Sequence, residues 1–284
     1  MSSRHLRLAA ATLLAAAFAL AAAPATAQEP PRRLAEVRLS LEIGLLAPLS
    51  HTIQYGKNGS RFDFIAEGGQ DTLFFFARPT AELHLARRHA LIFLYQPLDL
   101  RGEVVLRRDV RIDEVLFPSG TALNVRYGFD FYRLSYLYDL SRRPSREIAL
   151  GGSMQIRNAA VVFSSVDGSL RRSYRNIGPV PTLKARTLFR RPSGFFFGGE
   201  VDFMYAPVKY LNGGKSDVVG AIIDLSVRSG YRFRPGTDLF LNVRYLGGGA
   251  EGTSPNAETL GDGWVSNWLH FLTVSVGLTW SSGP

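Results

Sequence analysis

The 284-residue chain contains no cysteine. That rules out disulfides, a thiol nucleophile, cysteine-based metal sites and the acylated cysteine of a lipoprotein anchor. Histidine is scarce too. Of the five in the chain, His51, His84, His89 and His270 follow the first thirty residues, so a histidine-rich metal site is excluded. The motifs H-E-x-x-H, G-x-S-x-G and the phosphate-cradling glycine loop are absent. Beyond residue 35 there is no apolar run near the ~20 residues a spanning helix requires, and helical periodicity is hard to find. A helical membrane protein is thereby excluded.

What is present begins with a leader. "MSSRHLRLAAATLLAAAFALAAAPATAQ" places Arg4 and Arg7 before an acid-free Ala/Leu run that ends at Ala25-Thr26-Ala27. This is the layout of a secretory signal peptide over 1–27. A short segment, 28–35, then leads into a single domain over 36–280, with a four-residue tail, 281–284.

From residue 36 onward apolar and polar residues alternate with period two, the signature of strands that show a different chemistry on each face. "FFFGGEVDFMY" sets Phe195, Phe197, Val201, Phe203 and Tyr205 against Glu200 and Asp202. Ten such segments are read, at about 37–45, 72–86, 89–96, 122–140, 147–163, 180–190, 195–205, 218–233, 239–245 and 268–280. In the fourth, Leu123, Val125, Tyr127, Phe129 and Phe131 oppose Asn124, Arg126 and Asp130. Its phase then changes near Phe131-Tyr132, which suggests a bulge.

The connections alternate in length. "RRH", "SRRPSR", "RRPSG" and "RPGT" are tight turns. Residues 50–71, 97–121, 164–179, 206–217 and 246–267 are expected as long loops. The Asp167-Gly168 pair marks a projecting hairpin, and "GGGAEG" at 247–252 reads as a flexible loop start. Short turns at one end and long loops at the other, with both termini at the short-turn end, describe an all-β, closed antiparallel transmembrane β-barrel of about ten strands with periplasmic turns and extracellular loops. Eight or twelve strands would follow if one segment were miscounted.

Alternation alone does not say which face is outside. A lipocalin-like barrel or a secreted sandwich shows the same pattern with its apolar face inward. Here bulky Phe, Tyr, Trp, Leu and Ile lie on one face, while Gly220, Gly230, Gly277, Ser153, Ser226 and Ser275 lie on the other. Large groups suit lipid and small ones suit a narrow lumen. Phe195, Tyr205, Tyr231, Phe233, Tyr245, Trp268 and Trp280 sit near strand ends, as membrane-interface aromatics do. With these features the chain resembles the small outer-membrane β-barrel proteins of bacteria. The final strand, "FLTVSVGLTW", is similar to their closing strand, whose terminal aromatic is read by the barrel-assembly machinery. The resemblance implies an outer-membrane location. Ser281-Ser282-Gly283-Pro284 after Trp280 is a departure from the pattern.

If the polar face lines the lumen, Glu42, Arg126, Arg157, Lys184, Arg186, Glu200, Asp202, Asp224, Arg228 and Arg244 form a charge network inside it. Such a network reads either as a paired, hydrogen-bonded plug or as a pathway for a small polar solute. The 33 basic and 24 acidic residues give a net charge of +9. The excess lies in the turns, at Arg87, Arg88, Arg142, Arg143, Arg146, Arg190, Arg191, Arg232 and Arg234, and at Arg32 and Arg33. These suit anionic head groups of the inner leaflet. Arg107, Arg108, Arg111, Arg171, Arg172 and Arg175 on the loop side suit lipopolysaccharide phosphates. No nucleic-acid motif accompanies the basic charge.

The reading is of a structural, binding or small-solute passage protein, with no cofactor, no metal and no catalytic residue assigned. The alternative is a hydrolase or acyl-transfer enzyme acting on lipid A. For that chemistry Glu82 and His84, two apart on one strand face, are the first groups to consider. The compact His-x-Ser element of lipid A deacylase barrels is not found, nor are the paired aspartates and Asp-His pair of the omptin proteases. His270 falls on the lipid-facing phase near a strand end, where an interfacial histidine is the natural reading.

Overall fold

A computed structural model describes residues 35–141, 143, 145–207, 217–253 and 262–283, without the side chains of 157, 176, 177, 206 and 207. The leader therefore lies outside the described residues, together with Arg32, Arg33 and Arg142. All regular structure among the described residues is strand: β1 (Ala35–Tyr55), β2 (Phe62–Asp63), β3 (Phe74–Leu85), β4 (His89–Gln96), β5 (Asp99–Val105), β6 (Val110–Ile112), β7 (Val115–Phe117), β8 (Ala122–Asp139), β9 (Arg146–Ser165), β10 (Arg171–Arg190), β11 (Phe195–Pro207), β12 (Val219–Arg234), β13 (Thr237–Thr253) and β14 (Trp264–Ser281).

Each long strand pairs antiparallel with its sequence neighbour. β4 and β5 share one stave against β8, and β1 pairs with β14 to close the ring. The result is a ten-stave barrel with no free edge, the one sheet arrangement that satisfies every backbone group inside a bilayer. The seam runs from Arg38↔Ser281 to Tyr55↔Val265. Past its end, the Ser282 N–H donates to the Val37 carbonyl, so the tail prolongs the closing strand.

The staves are longer than a membrane requires. At ~3.3 Å per residue and a tilt of ~40°, the 20 residues of β9 or of β10 rise about 50 Å along the axis, roughly twice the ~25 Å apolar band of such barrels. The upper half therefore stands in water, and the faces exchange chemistry on the way up. On the lower outer surface Leu39, Leu41, Ile43, Leu134, Tyr136, Leu150, Met154, Leu241 and Val276 are all exposed, forming the lipid-facing belt. Higher on β8, the same outward phase carries Asn124 and Arg126, and the inward phase carries buried Leu123, Val125, Tyr127, Phe129 and Phe131.

This corrects two sequence expectations. β8 has no bulge, since its register with β4 and β9 runs unbroken through Phe131 and Tyr132. The apparent phase change is a change of surroundings, from lipid outside and polar lumen within to water outside and apolar core within. Arg126 accordingly lies on the outer surface, where it pairs with Asp99 at 2.9 Å, and does not belong to the lumen network. Bulges occur instead on β1 between Pro48 and Ser50 and on β12 between Arg232 and Arg234. The first turns odd-numbered His51, Ile53 and Tyr55 inward where even-numbered Glu42 had been.

The expected loop at 164–179 is largely strand: β9 reaches Ser165 and β10 starts at Arg171. Between them the Asp167-Gly168 turn forms the expected hairpin. Hydrogen bonds from the Ser165 hydroxyl and from the N–H and hydroxyl of Ser169 hold the Asp167 carboxyl down at about 2. "GGGAEG" is no loop either, because Gly247 to Glu251 are paired with both β12 and β14, and Gly252 with β14.

The two longest connections fold over the mouth as a cap. β2 pairs with the top of β1, and Phe62 and Phe64 pack against Phe163, with Phe64 stacked on the His51 ring at 4.0 Å. The β6–β7 hairpin buries Val110, Ile112 and Phe117 completely or nearly so. Its turn residue Asp113 reaches the opposite wall, where its Oδ2 accepts from Arg172 Nη2 at 3.0 Å and from the Tyr174 hydroxyl at 2.8 Å.

Lower down, a close approach sets one glycine. A Cβ on Gly277 would run into the Phe240 ring, which lies flat over that backbone with the Arg228 guanidinium 5.1 Å from its centroid on the lumen side. Gly277→Ala is expected to cost about 1–3 kcal/mol through the displaced ring, read as an earlier denaturant midpoint in micelles. An unchanged midpoint would show that Phe240 moves aside freely.

Candidate functional site

The lower lumen gathers its polar residues because every second side chain of eight or more staves points at one axis. At its centre Asp224 on β12 accepts from Arg244 Nη1 at 2.6 Å and from Arg133 Nη1 at 2.8 Å, with Arg78 Nη2 at 3.6 Å. Asp202 on β11 binds the same Arg133 nitrogen at 2.8 Å and Lys184 at 2.7 Å, and accepts the Ser153 hydroxyl at 2.6 Å. Glu200 receives Lys184, Arg228 and Arg244 at 3.0–3.2 Å. Glu42 accepts from Asn242 and Ser275. Gln155 accepts from Nε and Nη2 of Arg133, and Gln96 accepts from Arg78 Nη1, while Arg78 Nε and Nη2 are buried without a hydrogen-bond partner.

Arg78, Arg133, Asp202 and Asp224 are 0–1 % exposed. Charges so far from water persist only when opposite charges and hydrogen bonds surround them; Arg133, Asp202 and Asp224 have both, and Arg78 has the Gln96 hydrogen bond with Asp224 at 3.6 Å. Nearer the turns a second cluster hangs on Arg186, which binds Glu82 at 2.9 Å and Glu147 at 2.6 Å. A small cavity of about 40 Å³ lies between the two clusters, bordered by Arg38, Glu147, Arg186 and Glu200.

Of the ten sequence-selected lumen residues, Glu42, Lys184, Arg186, Glu200, Asp202, Asp224, Arg228 and Arg244 are brought together here. Arg126 lies outside the barrel, and the Arg157 side chain is outside the described residues. Arg78, Arg133, Glu147, Gln96 and Gln155 were not selected. Arg133 alternates with Tyr132, Leu134 and Tyr136 and so stands on a polar phase of the lower part of β8, but it was not among the residues selected.

The aromatics selected for the interface all lie on the outward phase. Phe195, Tyr231, Phe233 and Trp280 are exposed near the short-turn end, and Tyr205 is exposed at the upper margin of the belt. Tyr245 and Trp268 are half-buried at that upper margin. The Tyr245 hydroxyl hydrogen-bonds His270 Nδ1 at 2.6 Å, and Trp268 covers Gly249. Tyr95 and Tyr132 stack at 4.9 Å on the same surface.

His84 Nε2 does meet Glu82 Oε2, at 2.8 Å, but both oxygens of that carboxylate also bind Arg186 Nη1. His51 is fully buried, with Nδ1 hydrogen-bonded to Gln70. Among the described residues no group of three or more His, Asp or Glu could hold a metal ion.

No family model matches the sequence, and neither does any characterised protein. Solved structures do match by fold. The outer-membrane protease OmpT of Escherichia coli superposes with a TM-score of 0.56 at 13 % identity, over 87 % of this chain and 96 % of that one. The attachment-invasion protein Ail of Yersinia pestis matches with a TM-score of 0.36 at 10 % identity, over 85 % and 98 % of the two chains. The transport unit of the Escherichia coli autotransporter AIDA-I gives 0.39 at 8 % identity, over 90 % and 93 %. The chain thus has the fold of the bacterial outer-membrane β-barrels, and the apolar belt around its lower half seats it in that membrane.

Proposed function

We propose that this is a sealed barrel, in which the charged lumen is structural and the working surface is a binding head at the extracellular end. One observation carries the reading. Arg78, Arg133, Asp202 and Asp224 meet across the bore with no more than 1 % exposure, and above them the lumen is filled by Phe, Tyr, Ile and Leu of the walls and the cap. A solute would have to break ion pairs and then cross an apolar plug. In planar bilayers the purified protein is expected to show no step conductance at any salt concentration; ohmic steps that scale with salt would mean passage.

The enzymatic alternative rests on the 2.8 Å Glu82–His84 contact. Weighing against it, Arg186 already occupies that carboxylate, and the pair lies near the short-turn end, away from the leaflet that carries lipid A. His84→Ala is expected to leave the lipid A mass profile of the producing cells unchanged. Within the binding reading, the turn arginines, among them Arg87, Arg88 and Arg191, face anionic phospholipid head groups. Arg107, Arg108, Arg111, Arg171, Arg172 and Arg175 lie on the side of the lipopolysaccharide phosphates, and β14 is the strand presented to the assembly machinery.

A further inference from the structure

Above the ion-paired layer the barrel holds a cavity of about 150 Å³, bounded by β1, β8, β9 and β10 on one side and by β12, β13 and β14 on the other. Tyr55, Tyr127 and Phe129 supply rings to its lining, and Val161, Ile222 and Leu246 supply aliphatic groups. The space exists because of a gap in side-chain volume. Below this level β13 sends Asn242 and Arg244 inward, and after Leu246 its next inward position is Gly248, which presents only backbone.

Asn267 on β14 also lines the cavity, and its Oδ1 is buried without a hydrogen-bond partner. The other half of this amide faces the Tyr127 hydroxyl, to which Nδ2 donates at 3.3 Å. In this orientation the open function is an acceptor, in a chamber whose other described lining is mostly apolar. Such an acceptor is costly to leave unpaired, and a donor arriving with a ligand would relieve it.

Volume narrows the choice further. A dry cavity of about this size, lined by leucine, isoleucine and phenylalanine, holds one benzene molecule. We propose that the cavity is a binding site for a single-ring aromatic molecule carrying one hydrogen-bond donor, of the phenol class, whose hydroxyl donates to Asn267 Oδ1. A carboxylate is disfavoured by that same oxygen; Arg175, the cation at the margin, is exposed to water and compensates little. The inference rests on the binding role proposed above and names its ligand class.

The test uses the full chain in detergent micelles, with micelles alone as control, and measures phenol, toluene and benzoate binding by saturation-transfer NMR and calorimetry. Phenol is expected to bind saturably, and toluene and benzoate about tenfold more weakly or less, the worth of one hydrogen bond in such a site. Val161→Phe fills the chamber and should abolish phenol binding while the boiled and unboiled gel mobilities still differ. Asn267→Leu, at a half-buried position where folding is not at stake, should erase the preference for phenol over toluene.

No saturable phenol binding by the wild type would overturn the assignment, as would equal binding by a folded Val161→Phe protein or a preference that survives Asn267→Leu. Conductance separates this proposal from the one beneath it. A silent barrel that ignores phenol removes the ligand class alone, whereas a conducting barrel removes the sealed reading.

Discussion

Asp224→Ala is expected to lower the unfolding free energy by about 3–5 kcal/mol, the range for removing one partner of a buried charge pair. The carboxylate is fully buried and faces three guanidinium groups, those of Arg78, Arg133 and Arg244. Alanine leaves Arg244 with Glu200 at 3.2 Å and Arg133 with Asp202 at 2.8 Å, so each of these loses one of two anions. Arg78 loses the carboxylate nearest to it. The expected readout is a lower denaturant midpoint in micelles and a lower temperature at which the compact gel form is lost. Adding Arg244→Met to the alanine variant should restore part of the loss, because it removes a charge left without its main partner. A loss below about 1 kcal/mol would mean that water reaches this layer and screens it, and the sealed lumen would then be untenable.

Leu134→Arg and Asn124→Arg place the same side chain on the same outward face of one strand and are expected to behave oppositely. Leu134 is 55 % exposed on the lower outer surface, where an arginine in the apolar band costs about 2–4 kcal/mol. Asn124 is exposed on the same phase higher up β8, beyond Arg126, where a charged substitution in water should stay within about 0.5 kcal/mol. Refolding yield into lipid vesicles and denaturant titration both read the difference. Equal penalties would put the whole strand in lipid and remove the distinction between the two halves of the barrel.

Much of this fold is legible from alternation. The ten staves were readable within a few residues at their short-turn ends, since Arg87, Pro192 and Gly236 break the pattern abruptly. Their upper ends were not. β1 continues to Tyr55, β10 begins at Arg171, and β13 runs to Thr253 through a stretch rich in glycine. Glycine and arginine suggest loops when only local propensity is considered, but here strand pairing on both sides holds them extended. The lumen network was half visible. Lys184, Glu200, Asp202, Asp224 and Arg244 stand on clear polar phases, whereas Arg133 and Arg78 matter because of partners 91 and 146 residues away in the chain, and no local pattern names a partner.

By itself the sequence determined which residues share a face, because period two is a property of the extended backbone and needs nothing beyond the strand. It also determined that the strands close without disulfides. Tertiary structure alone decided what each face meets. The staves outrun the lipid band and two connections fold into the mouth, so one continuous phase passes from a polar lumen to an apolar core, and its opposite passes from lipid to water. That assignment depends on height along the barrel axis and on strand register, and both are set by neighbouring strands.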